Sequence, residues 1–173
     1  MARNITMSDA IREYTASLKA QDLAENTIKN RVQPLTRGQR EWGDILVSSI
    51  KPVHIDRLFQ AGGWAASTRN LYLSDLRQFL AWARNHGYMG KDFDPTFGWR
   101  NARVPEQDSL RVPVERFYEL LDACDHPRDR AIVAIGLFAF PRGSEIQAMR
   151  INDLDLSALT LDIYRIKTKQ YDT

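Results

Sequence analysis

The sequence is poor in the residues that staple or metallate a fold. Its 173 residues hold one cysteine, Cys124, which excludes an internal disulfide framework. The three histidines, His54, His86 and His126, are scattered without metal-ligand spacing, so neither a metal nor another cofactor is expected. No apolar run approaches the roughly 20 residues that span a bilayer. Met1-Ala2-Arg3-Asn4 leads into a polar helix rather than a signal-peptide core. A cytoplasmic protein of a bacterial or phage-infected cell, with no membrane partner, is the expectation.

Acid is also missing where base accumulates. Residues 1–100 hold 14 Lys and Arg against 10 Asp and Glu, whereas residues 101–173 hold 10 against 12. The overall charge of +2 therefore hides a basic first part and an acidic second. No acid stands between Glu25 and Glu41, yet Lys29, Arg31, Arg37 and Arg40 do. Such a stretch suits a polyanion, although a solvated helix face has the same composition.

What is present reads as a mainly α protein, since 43% of residues are hydrophobic and most fall at helical spacing. Thr6 or Ser8 can cap a first helix to about Gln21, with Ile11, Tyr14 and Leu18 on one face. A second runs from Glu25 to Trp42, and Pro34 should kink or divide it. A third opens at Lys51-Pro52 and closes at Gly62-Gly63. The fourth, Ser67 to His86, carries Tyr72, Leu73, Leu76, Phe79, Leu80 and Ala83 on one arc, flanked by Asn70, Ser74, Arg77 and Arg84.

Residues 101–113, which include Arg103, Pro105, Gln107, Asp108 and Pro113, lack an apolar period and read as a linker between domains at 1–100 and 114–173. In the second domain Val114 to Ala123 is amphipathic. Ala131 to Phe140 is apolar all round and should be buried. Ser144 and Gln147 fit a capping box for a helix from Glu145 to Arg150. Leu159, Leu161 and Ile163 then alternate as a strand continuing through Arg165, Lys167 and Lys169. A lone terminal strand leaves backbone groups unpaired, which suggests a domain cut short.

Arg142 follows an apolar helix and stands three residues before Glu145. That pattern suits either a carboxylate-paired structural Arg or a guanidinium fork presented to a phosphate and oriented by Glu145. The run Arg128-Asp129-Arg130 through Pro141-Arg142-Gly143-Ser144-Glu145-Ile146 to Asp153-Leu154-Asp155 resembles the first catalytic-arginine segment of tyrosine recombinases, the phage integrase family. Thr68 to Ala83 and Asp94-Pro95 resemble that family's core-binding domain, in the same order along the chain.

The resemblance implies a four-helix, SAM-like core-binding domain followed by a truncated α+β catalytic domain ending in a short β-strand. It matches Arg142 to the first catalytic Arg, Glu145 to its acidic companion and Lys167 to the strand lysine. It implies site-specific recombination of phage type through a 3′-phosphotyrosyl link, on double-stranded DNA at an attachment core site, by a chain that multimerises on DNA when full length. The contact faces expected on that DNA are Lys29, Arg31, Arg37 and Arg40 together with Asn70, Ser74, Arg77 and Arg84.

Two departures qualify the match. Phe140-Pro141 stands where the family usually has Gly and an apolar residue before the Arg, and the His-x-x-Arg pair, the further His or Trp and the nucleophilic Tyr are absent. His54-Ile55-Asp56-Arg57 matches His-x-x-Arg only by chance, being in the first domain, and Tyr171 follows Lys167 too soon to be the nucleophile. The chain is therefore expected to bind DNA without cutting it, and Met1 lies too near the first helix to leave room for an arm-binding domain. A short integrase-like regulator that occupies DNA without recombining it is the alternative, and a helical protein with no nucleic-acid role the third.

Overall fold

The computed structural model describes residues 3–106 and 111–172; Gln107 and Asp108 of the expected linker lie outside them. The fold is mainly helical, with short antiparallel strands near the C-terminus, and the chain divides into two units, Met1–Glu106 and Gln107–Thr173.

In the first unit, α1 (Met7–Ala20), α2 (Glu25–Trp42), α3 (Pro52–Gly62) and α4 (Ala66–Asn85) surround one core. Thr6 caps α1, its Oγ1 accepting from Asp9 N at 3.4 Å. The buried face of α1 is Met7, Ala10, Tyr14 and Leu18, spaced three and four apart, and Ile11 sits at its edge. Pro34 does not divide α2. It is buried near Leu35 where the helix packs on α1, α3 and α4, and that packing sustains the helix across the missing N–H. Gly38 is required there, because a Cβ would lie 2.8 Å from the Trp42 ring. The Trp42 indole donates to His54 O at 2.9 Å and so ties α2 to α3. Gly63, at φ +56°, ends α3 in the left-handed region that favours glycine.

The chain after α4 turns back along it. Arg84 Nη1 donates to Phe93 O at 3.1 Å, and Arg77 donates to Thr96 Oγ1 and Trp99 O. The Asn70 amide closes a two-bond clasp on Ala102, donating to its carbonyl at 2.8 Å and accepting from its N–H at 2.7 Å. As the residue number falls along α4, that of the partner rises, so residues 93–102 form an antiparallel strap. Trp99 anchors it, donating to Asp56 Oδ1 at 3.0 Å with its ring 4.8 Å from Phe59. The start of the expected linker is therefore not free of the helices, since Ala102 is fastened to α4.

In the second unit a 3-10 turn (Val114–Arg116) runs into α5 (Phe117–Asp122), followed by α6 (Pro127–Phe138) and α7 (Gly143–Ala148). Two hairpins follow. β1 (Leu154–Asp155) pairs with β2 (Thr160–Leu161), and β3 (Ile163–Arg165) pairs with β4 (Gln170–Asp172) through Ile163–Asp172, Tyr164–Tyr171 and Arg165–Gln170.

Three expectations are corrected here. The single strand from Leu159 to Lys169 is broken by turns, with Leu159 and Lys169 at φ +54° and +56°, and β3 has a partner in β4. The cap of α7 is formed by Arg142 and Glu145 rather than Ser144 and Gln147: the Glu145 carboxylate accepts from the Arg142 backbone N–H at 2.8 Å. Finally, α6, apolar all round only from Ala131 onward, is not buried there; Ile132 and Phe138 are 44% and 57% exposed. Its neighbours α5 and α7 have six residues each, too few to cover a twelve-residue cylinder.

Asn70→Ala is expected to cost about 1–3 kcal/mol by orphaning two half-buried backbone groups. Thermal melting reads the loss, and trypsin is expected to cut after Arg100 or Arg103 faster than in the parent chain.

Candidate nucleic-acid interface and phosphate site

The basic stretch of α2 does not present one face. At about 100° per residue, Arg40 lies about 20° from Lys29 around the axis and Arg37 about 80°, whereas Arg31 is about 200° away. Arg31 accordingly turns inward, where its charge acts on Tyr14 of α1 and Asp75 of α4. Burial pushes the Asp75 carboxyl above the usual range, and Arg31 opposes that shift. Lys29, Arg37 and Arg40 are exposed, with Lys29 and Arg40 separated by about 16 Å along the helix. Arg37 is held over the Trp64 ring at 5.6 Å and the Tyr72 ring at 6.0 Å, which fixes its guanidinium at the surface.

The α4 flank is largely engaged within the chain. Asn70, Arg77 and Arg84 are the residues that hold the strap, and of that flank Ser74 alone is exposed with no bond to it among the described residues. His54 also has a local role, its Nδ1 accepting from Lys51 N at 2.9 Å, and Asp56 holds Trp99.

The second unit brings together residues that are far apart in sequence. Glu145 has a fully buried carboxylate with a cation on each oxygen: Arg142 Nη1 donates to Oε1 at 2.8 Å and Arg165 Nη1 to Oε2 at 3.1 Å. Arg165 Nε donates in turn to Asp172 Oδ2 at 2.6 Å. The Arg142 side chain remains 58% exposed, so one edge of its guanidinium is held while the rest faces solvent. Phe140, Arg142, Arg165, Thr168, Gln170 and Asp172 line an open groove of about 560 Å³.

Arg165 does not stand out in the sequence, where its two-residue spacing from Lys167 makes it one of several basic strand positions. Its signal is the parity of the strand, which sets Ile163, the buried residue of β3, on the same side as Arg165. Lys167 is expected in a strand. It lies instead in the exposed turn between β3 and β4, because the pairing of Arg165 with Gln170 leaves residues 166–169 to close the hairpin. Tyr171 lies in β4 with its ring 5.0 Å from Tyr164. Among the described residues no three His, Cys, Asp or Glu gather to hold a metal, and no helix is long and apolar enough to cross a membrane.

The Arg142 N–H, then the two guanidinium contacts, hold the Glu145 carboxyl at about 2, against an ordinary 4.5. A carboxyl lowered on folding contributes stability that is complete above its ordinary value and is lost as pH falls through its folded value. The melting temperature is therefore expected to fall between pH 4.5 and about 2. Glu145→Gln is expected to melt lower near neutral pH and to show a shallower acid fall. Identical pH profiles of the two proteins would refute the assignment.

No protein-family model and no curated protein matches the chain. Among solved structures, a lambda integrase dimer bound to a COC′ core site superposes with a TM-score of 0.77 at 16% identity, over 97% of this chain and 61% of that one. A lambda integrase tetramer bound to a Holliday junction gives 0.77 at 16%, over 97% and 50%. A lambda integrase bound to DNA gives 0.76 at 16%, over 97% and 59%. The chain thus spans about half to three-fifths of these integrases, and over that span it shares their fold.

Proposed function

We propose that this chain binds double-stranded DNA as the core-binding domain and first catalytic segment of a phage-type tyrosine recombinase. The observation that carries the reading is Arg142, an exposed guanidinium held by a buried carboxylate, in a fold shared with DNA-bound integrases. In this reading residues 1–100 are the helical DNA-binding domain, 101–113 the linker, and 114–173 the start of the catalytic domain. The DNA is an attachment core site, on which full-length chains multimerise.

Residue roles follow from what each group can do. Lys29, Arg37 and Arg40 neutralise phosphates along one flank of duplex DNA, and Ser74 donates to another phosphate. Arg31, Asn70, Arg77 and Arg84 shape the same surface from within, by balancing Asp75 and fastening the strap. At the scissile phosphate, Arg142 offsets charge that grows on the non-bridging oxygens, and Glu145 fixes its angle. Lys167, on a long stem at a hairpin tip, donates a proton to the leaving 5′ oxygen. An attacking hydroxyl in line with that oxygen completes the reaction, and Arg142 and Lys167 cannot replace it.

Gel shifts across a salt series test the binding half. Each phosphate that is no longer neutralised should reduce the log–log salt slope by about 0.9. Replacing Lys29, Arg37 and Arg40 together by Ala is expected to flatten the slope, whereas Arg31→Ala is expected to lower stability and leave the slope unchanged. An unaltered slope in the triple variant would assign that flank to solvent alone.

A nicked suicide duplex tests the chemical half: the chain is expected to shift it without forming a covalent adduct. A phosphotyrosyl link at Tyr171 would overturn the assignment of roles.

A further inference from the structure

Phe140 is the least economical residue in the second unit. It follows the C-cap of α6 with φ at +50°, a left-handed conformation that suits glycine and that a bulky side chain adopts only at a cost. Asp22, Leu159 and Lys169 share that conformation but stand beside polar or hairpin turns. Phe140 gains no burial in return, for its side chain is 75% exposed. Pro141 follows directly and restricts the backbone between the ring and Arg142. The outcome is an exposed phenyl ring that lines the same groove as Arg142 and Arg165.

An apolar ring beside a guanidinium matches the composition of a nucleic-acid backbone, in which a deoxyribose carrying apolar C–H groups is bonded to each phosphate. In an intact duplex the bases are stacked and paired, so the sugar is the apolar surface nearest a bound phosphate. We propose that Phe140 is a DNA-contact residue that packs against the deoxyribose adjoining the phosphate held by Arg142. This rests on the DNA-binding reading above and adds a neutral contact to its charged ones. The ring adds affinity without neutralising a phosphate, and the left-handed backbone keeps it at the groove instead of letting it fold back onto α6.

The two kinds of contact separate in a salt series, because counterion release follows phosphate neutralisation and not apolar burial. The probe is a 30-base-pair duplex of mixed sequence, and its affinity for the whole chain is measured from about 50 to 200 mM salt. Phe140→Gly is expected to weaken binding about tenfold at every salt concentration, as removal of a partly buried ring should. Its line should run parallel to that of the parent chain. Arg142→Ala is expected to change the slope by about 0.9. Phe140→Trp is expected to retain the parent affinity and Phe140→Leu to recover part of it.

Phe140→Gly also relieves the positive φ, so its melting temperature is expected to equal or exceed the parent's. Superposed lines, a changed slope, or a lower melting temperature with unchanged affinity would each overturn the proposal, the last by assigning the ring to packing within the chain. Absence of duplex binding by the parent chain at low salt would instead overturn the DNA-binding reading on which it rests.

Discussion

A carboxylate with no exposure can stay charged only if fixed cations and N–H donors replace the water it has lost. Glu145 meets that condition with Arg142 on one oxygen and Arg165, together with the Arg142 N–H, on the other. The start of α7 and strand β3 are thereby held to a single buried charge. This fixes where the second hairpin lies relative to α7 and leaves the free edge of Arg142 facing the groove. Arg165 is balanced in its turn by Asp172 from the neighbouring strand, so the chain of charges alternates in sign from α7 across the hairpin.

The first unit solves a comparable problem with neutral acceptors. Its core is closed by apolar faces spaced three and four apart, with α2 packed against the other three helices. The polar stripe of α4 then captures the returning chain. That stripe and the basic face of α2 have similar composition but different surroundings: one is engaged inside the unit, while the other leaves Lys29, Arg37 and Arg40 exposed.

Much of this is legible in the sequence. Helix limits in the first unit fall within a residue or two of expectation, because caps, glycines and apolar periods agree with one another there. The pairing of Arg142 with Glu145 is legible in their three-residue spacing, which suits an ion pair whether or not a phosphate is also held. The inward turn of Arg31 is contained in its angular position on α2, but a charge count carries no direction. Asn70, Arg77 and Arg84 share an arc that period alone cannot assign to solvent or to strap, since their partners are backbone groups 9 to 32 residues away. The exposure of α6 is illegible for a different reason: an all-round apolar pattern states what a helix requires, and says nothing about whether six-residue neighbours can supply it. The hairpin at 163–172 is hidden because alternation continues through the turn that interrupts the strand.

The α4 strap has an evolutionary consequence. A hydrogen bond to a peptide carbonyl is blind to the side chain that follows it, so the positions of Phe93 and Ala102 are free to drift as far as those bonds are concerned. The donors on α4 have no such freedom, for each reaches its carbonyl with a particular length and fork. Substitution in this unit should therefore be asymmetric, with a slowly changing helix stripe facing a rapidly changing connector. Thr96 and Trp99 are the exceptions on the connector, since the buried Thr96 hydroxyl accepts from Arg77 and the Trp99 ring and indole N–H are both engaged.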